Sequence, residues 1–310
     1  MPFKKIQLSF LSLFLVASQL FGQDVQNHLK LATINYDWLD SLPSPEKTME
    51  ISMGFKDGDP GQHLVYYFDG QIQSFSALEP FVNEFVRKVG IAYVALRIDE
   101  RVRLGDAFVL INELVYLGQN RIYYATNNGL SVSVKKPLMH YGKQEIWDKK
   151  RKAILSATKT QDEKFNSDEK MALAFSPPTQ STPPPKRILW PQPNAPLIKM
   201  TGTDNQVSFN DLIVSNDVLT DSCMASIERN KTRGYLVFEP NDEATFGNYI
   251  KNYAAIINAY HMVWENESIA QFQLPFSKLS LSQMQKVRNN YPFVVNEYST
   301  LDLEWERTRQ

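Results

Sequence analysis

The sequence predicts an α+β protein built from two tandem β-β-α-β-α-β units, each packing its helices on one face of a small mixed sheet. Two observations carry that expectation. Short stretches rich in β-branched and aromatic residues alternate with amphipathic helical segments. The same alternation then returns after a proline-rich break. Expected boundaries are 1–22 for an export segment or anchor, 45–130 for the first unit, 131–196 for a helical segment and linker, and 197–303 for the second unit.

The chain opens "MPFKK", followed by the apolar run Ile6–Gly22 and then Gln23. A basic start, a short apolar core and small or polar residues at its end match a secretory signal peptide. Retention as an N-terminal anchor is the alternative, because such a run sits at the short edge of a membrane span. Export predicts a periplasmic location, and retention predicts an inner-membrane anchor facing the periplasm.

In the first unit, "TMEISMGF" and "HLVYYFDGQIQSF" read as strands, and Asp69-Gly70 marks a tight hairpin. Ser76 is placed to cap a helix whose Leu78, Phe81, Phe85 and Val89 share one face. Ile91–Ile98 is nearly all apolar, which suits a strand buried on both faces. The helix 105–118 follows, closed by Gly118, and "RIYYAT" reads as the returning strand. Taken strand by strand, the order is β-β-β-α-β-α-β.

Residues 142–175 are charged and helix-prone. Ser176–Pro196 then carries too many prolines for a helix or a central strand, so it reads as an extended linker. Beyond it the first pattern resumes. Phe209-Asn210-Asp211 lies opposite Phe68-Asp69-Gly70, and Ile213 opposite Ile72. "TFGNYI" aligns with "RLGDAF", which sets Gly247 against Gly105 and Asn248 against Asp106. The glycine is expected to relax the turn, and the Asp or Asn to cap the helix start.

Composition excludes several functions. Lys plus Arg number 33 and Asp plus Glu 34, so no global field favours nucleic acid or an acidic membrane. The single cysteine, Cys223, rules out an intramolecular disulfide and a cysteine-based zinc cluster, and is expected to be buried.

No catalytic, cofactor-binding or metal-binding residue stands out, and no cofactor is expected. His261 and Glu265 have helical i,i+4 spacing but no third ligand, so a surface histidine is the expectation. Asp57 and Asp59 lack the downstream glutamate of a calcium loop. Arg97, Asp99, Glu100, Arg101 and Arg103 read as a solvated charged turn. Tyr249, Tyr253, Tyr260 and Trp264 form an aromatic stripe on one helix, expected in the core.

Both units resemble the periplasmic domain of the ExbD/TolR family, the small partners of proton-driven motors in outer-membrane transport. In the first, the resemblance runs from "MEISMGF" through "VALRIDERVRLGDAFVLINELVYLGQNRIYYAT". In the second, "NAYHMVWENES" and "YPFVVNEYST" match a longer form of the family; together the matches span roughly 48–126 and 205–300. The resemblance implies a non-enzymatic binding or scaffold protein of TonB-type biopolymer transport, with protein partners of a TonB/ExbB-like motor and no nucleic acid. A retained anchor would instead imply a membrane-bound transporter subunit. Proton conduction is not implied, because Ile6–Gly22 contains no Asp or Glu to titrate in the membrane. Family domains of this kind pair between chains, which implies here an intrachain pseudo-dimer that is monomeric in solution.

Overall fold

The structure is a computed structural model and describes residues 29–90, 92–119, 121–135, 196–201, 206–233 and 235–297. The expected export segment and nearly all of the linker lie outside the described residues. The architecture is mixed α/β, with two mixed sheets and, among the described residues, five α-helices.

The first half contains β1 (Asp40–Ser41), β2 (Thr48–Phe55), β3 (Leu64–Phe68), β4 (Gln71–Gln73), α1 (Leu78–Val89), β5 (Tyr93–Ile98), α2 (Leu104–Tyr116), β6 (Arg121–Ala125) and β7 (Leu130–Lys135). The second contains β8 (Leu197–Thr201), β9 (Gln206–Phe209), β10 (Leu212–Val214), α3 (Asn216–Asn230), β11 (Leu236–Glu239), α4 (Phe246–Phe272), α5 (Leu281–Asn290) and β12 (Val295–Glu297).

Strand order is β1-β7-β6-β5-β2-β3-β4 in the first sheet and β12-β11-β8-β9-β10 in the second, read from the corresponding edge. The middle strands correspond one to one. β2, β5 and β6 run parallel, as do β8, β11 and β12, and each sheet ends in an antiparallel hairpin. The first sheet extends past the expected boundaries, to Asp40 on one side and Lys135 on the other.

Both hairpins turn through two residues of positive φ, Asp69-Gly70 and Asn210-Asp211. That is the turn whose twist matches the strands, and these residue types tolerate it. β5 is central, with Val94, Ala95, Leu96 and Ile98 all buried. On β2, alternate residues Met49, Ile51 and Met53 are fully buried, as strand periodicity requires. The predicted face of α1 packs on this core through Leu78, Phe81, Phe85 and Val89.

Ser76 does not cap α1. It sits within a 3-10 turn, Phe75–Ala77, and the N-cap residue Ala77 makes no side-chain cap bond. Gly118 closes α2 as expected, its φ of 82° letting Gly118 and Gln119 donate to the carbonyls of Val115 and Leu114. The buried apolar residues of both halves form one continuous cluster.

Candidate functional site

The two halves meet where the sequence repeats itself. Arg103 and Thr245 form an antiparallel bridge. Around it, Leu104 N–H donates to Ala244 O at 2.7 Å and Phe246 N–H to Val102 O at 2.7 Å. Gly105 N–H donates to Asp242 O at 2.9 Å and Gly247 N–H to Glu100 O at 2.9 Å. The offset that aligns Gly105 with Gly247 also exchanges the members of each pair, so the junction has a local pseudo-twofold between Arg103 and Thr245.

This arrangement solves a problem that every helix has. The first N–H groups of a helix lack intrahelical acceptors. Here the opening amides of α2 and α4 are satisfied by carbonyls from the opposite half. The approach is close enough to exclude a side chain at Gly247 and to crowd one at Gly105. A Cβ on Gly247 would stand 2.6 Å from Glu100 Cβ and 2.9 Å from its carbonyl oxygen. A Cβ on Gly105 would stand 3.3 Å from both Asp242 Cβ and its oxygen. Neither glycine has positive φ, so close approach, rather than turn relaxation, explains them. The expected caps also change: Thr245, not Asn248, is the N-cap of α4 and accepts from Asn248 N–H, while Arg103 precedes α2 without a side-chain cap bond.

The charged run of the first half is a solvated turn only at Arg103, which is exposed, and not at Asp99. Asp99 is fully buried and accepts from Lys30 N–H at 3.0 Å, Arg101 N–H at 3.0 Å, and Arg101 Nε and Nη2 at 2.8 Å each. Burial pushes its carboxyl up, but the Arg101 and backbone hydrogen bonds outweigh it and hold the carboxyl below its ordinary value. Glu100 binds Lys30 Nζ at 2.9 Å and Lys251 Nζ at 3.6 Å, joining both halves. Arg103 pairs across the junction with Glu243.

The aromatic stripe on α4 is core. Tyr249 packs edge-on against Phe108 and Tyr124 of the first half and donates to Glu297 Oε1 at 3.2 Å. Tyr260 OH donates to Val294 O and Trp264 Nε1 to Tyr291 O. Burial raises the Tyr249, Tyr253 and Tyr260 hydroxyl pKa values, which keeps these groups neutral hydrogen-bonding members of the core.

His261 and Glu265 make separate contacts. The imidazole stacks on Trp38 with centroids 5.0 Å apart, and Glu265 accepts from Phe276 N–H. Burial, then the Arg288 charge, lower the imidazole to about 4. Asp59 accepts from Gly61 N–H within its own loop. Burial pushes the Cys223 thiol up to about 12, leaving little thiolate at neutral pH. Among the described residues no group of three or more His, Cys, Asp or Glu could hold a metal, and no helix is long and apolar enough to cross a membrane. An open depression of about 440 Å³ lies between the 41–47 segment and the rings of Tyr93 and Tyr123.

The remaining candidates are the hairpin edges. Among the described residues nothing pairs with the outer side of β4 or β10. Each carries an isoleucine at the aligned position, Ile72 at 62% exposed and Ile213 at 65%, with Leu212 beside the latter at 72%. Sequence reading aligned these isoleucines without showing that they face solvent at free edges. Comparison with protein-family models, curated proteins and solved structures finds no match to this chain.

Proposed function

We propose that the chain is a non-enzymatic protein of the bacterial envelope, a binding or scaffold element built from two tandem ExbD/TolR-like units. On this reading it works beside a TonB/ExbB-like motor of outer-membrane transport, exported by its N-terminal segment. The observation that carries the proposal is the pair of equivalent edges, β4 and β10, unpaired among the described residues, in sheets that share the order of five strands. An unpaired strand edge offers a row of backbone donors and acceptors to an extended peptide, and an exposed isoleucine offers it an apolar contact. The units act as a pseudo-dimer within one chain, and the exported protein is a monomer.

Purification of the intact complex from the cell envelope tests this reading. It predicts recovery of motor or TonB-like components, diminished by Ile72→Lys together with Ile213→Lys. Recovery without any such component overturns it.

A further inference from the structure

We propose that residues Leu29–Ser41 form a detachable clasp, an extended peptide docked across both halves whose departure opens the junction between them. The segment precedes β2 and makes no ladder until Asp40 and Ser41 pair with β7. Its bonds fall into three groups along its length.

The first group meets the junction. Leu29 lies over Gly54, where a Cβ would come within 2.3 Å of its Cδ2. Lys30 N–H donates to the buried Asp99 carboxylate, and Lys30 O accepts Glu100 N–H at 2.7 Å. The carbonyl of that same Glu100 accepts Gly247 N–H from α4. Clasp, first half and second half therefore hydrogen-bond in series through one residue, and the Glu100 carboxylate repeats the linkage through Lys30 and Lys251.

The second group holds the first half alone. Ala32 O accepts Asn127 N–H at 3.2 Å, Ile34 O accepts Asn128 Nδ2 at 3.1 Å, and Thr33 Oγ1 bonds Asn127 Nδ2 at 2.6 Å. The third group reaches the second half. Trp38 stacks on His261 of α4 and donates from Nε1 to Asn258 Oδ1 at 3.0 Å, with Tyr36 stacked behind it at 5.6 Å.

A segment held this way is separable from the fold it covers. Ordering each residue costs about 1–2 kcal/mol, and here the buried apolar anchors are Ala32, Ile34 and Leu39, with Tyr36 and Trp38 partly buried against the core. Both sheets keep their central strands without it. Segments with few buried contacts open below the global unfolding free energy. Tyr36 and Trp38 are the side chains whose removal frees the clasp from the second half.

The test is hydrogen exchange on the full chain carrying Tyr36→Ala and Trp38→Ala, compared with the unaltered chain. The expected result is exchange about tenfold faster or more at Leu104, Gly105, Phe246 and Gly247, with the central β5 amides unchanged. A synthetic peptide of residues 29–41, added in excess, restores the slow rates. Asn258→Ala, which removes the Trp38 acceptor and an exposed contact to Met262 Sδ on the same helix, gives a smaller change in the same direction. Three outcomes overturn the proposal: junction rates that stay slow while Lys30 exchanges faster, acceleration that reaches β5 equally, or acceleration that the peptide does not reverse. None of these readouts depends on an envelope partner, so the clasp and the transport reading stand or fall separately.

Discussion

The two halves share their central strand order but finish differently. In the first, α2 runs from Leu104 to Tyr116 and stops at Gly118, and β6 is then covered by β7 and β1. In the second, α4 continues to Phe272, α5 follows, and β12 ends its sheet among the described residues. The cause is local. Gly118 adopts a left-handed C-terminal turn, whereas the matching stretch of α4 carries Tyr260, Val263 and Trp264, each buried. Those side chains extend the common core along the added turns, and Tyr260 and Trp264 donate to the carbonyls of Val294 and Tyr291 at its end. A common core can thus be kept while its periphery changes, provided that each extension buries its own apolar face.

The largest effect is expected from breaking that extension. Trp264→Ala removes a ring that is 6% exposed, donates to Tyr291 O and lies beneath Arg288. A loss of about 3–5 kcal/mol by denaturant titration is expected. The corresponding end of α2 carries only the partly buried Tyr116, so truncation there should cost less.

Next come the paired glycines, which sharpen the comparison because they are equivalent by position but not by clearance. Gly247→Ala forces a Cβ against Glu100 and should cost about 1–3 kcal/mol. Gly105→Ala meets Asp242 at 3.3 Å and should cost under about 1 kcal/mol. Equal costs would show that the junction relaxes freely, so that its twofold holds in energy despite the unequal clearance.

Acid separates the halves by a similar amount, because His261 belongs to the second alone. Its folded pKa of about 4 lies below the ordinary 6.5, so the unfolded chain takes up the proton first. Stability contributed by the neutral imidazole is present above about pH 6.5 and is lost as pH falls toward 4, by at most roughly 3 kcal/mol. His261→Phe keeps the stack on Trp38 and should remove this part of the acid loss in pH-dependent denaturation.

The smallest effect on stability is expected at the edges. Ile72→Lys and Ile213→Lys alter exposed side chains and should each change stability by no more than about 0.5 kcal/mol. Light scattering of the chain lacking Met1–Gly22 should give a monomer mass, and a stable dimer at micromolar concentration would show that pairing between chains outcompetes pairing within one.

What the sequence determined by itself was local. Asp69-Gly70 specified its hairpin because turn chemistry acts over two residues, and the apolar run before Ile98 specified a central strand because no solvent face was left for it. The recurrence of "LGDAF" as "FGNYI" was visible for the same reason. Only the tertiary structure decided why those glycines are there: each helix start is satisfied by carbonyls of the opposite half, at a distance that leaves no room for a Cβ at Gly247 and little at Gly105. It also decided that Asp99 is buried rather than solvated, because its partners include Lys30, far away in sequence, and a periodicity reading cannot see them. Tyr36 and Trp38 carried no signal for the same reason. Tyr36 stacks on Trp38, and the stacking partner of Trp38, His261, lies on a helix of the other half; sequence patterns encode which face of an element is apolar but not which distant segment will cover it.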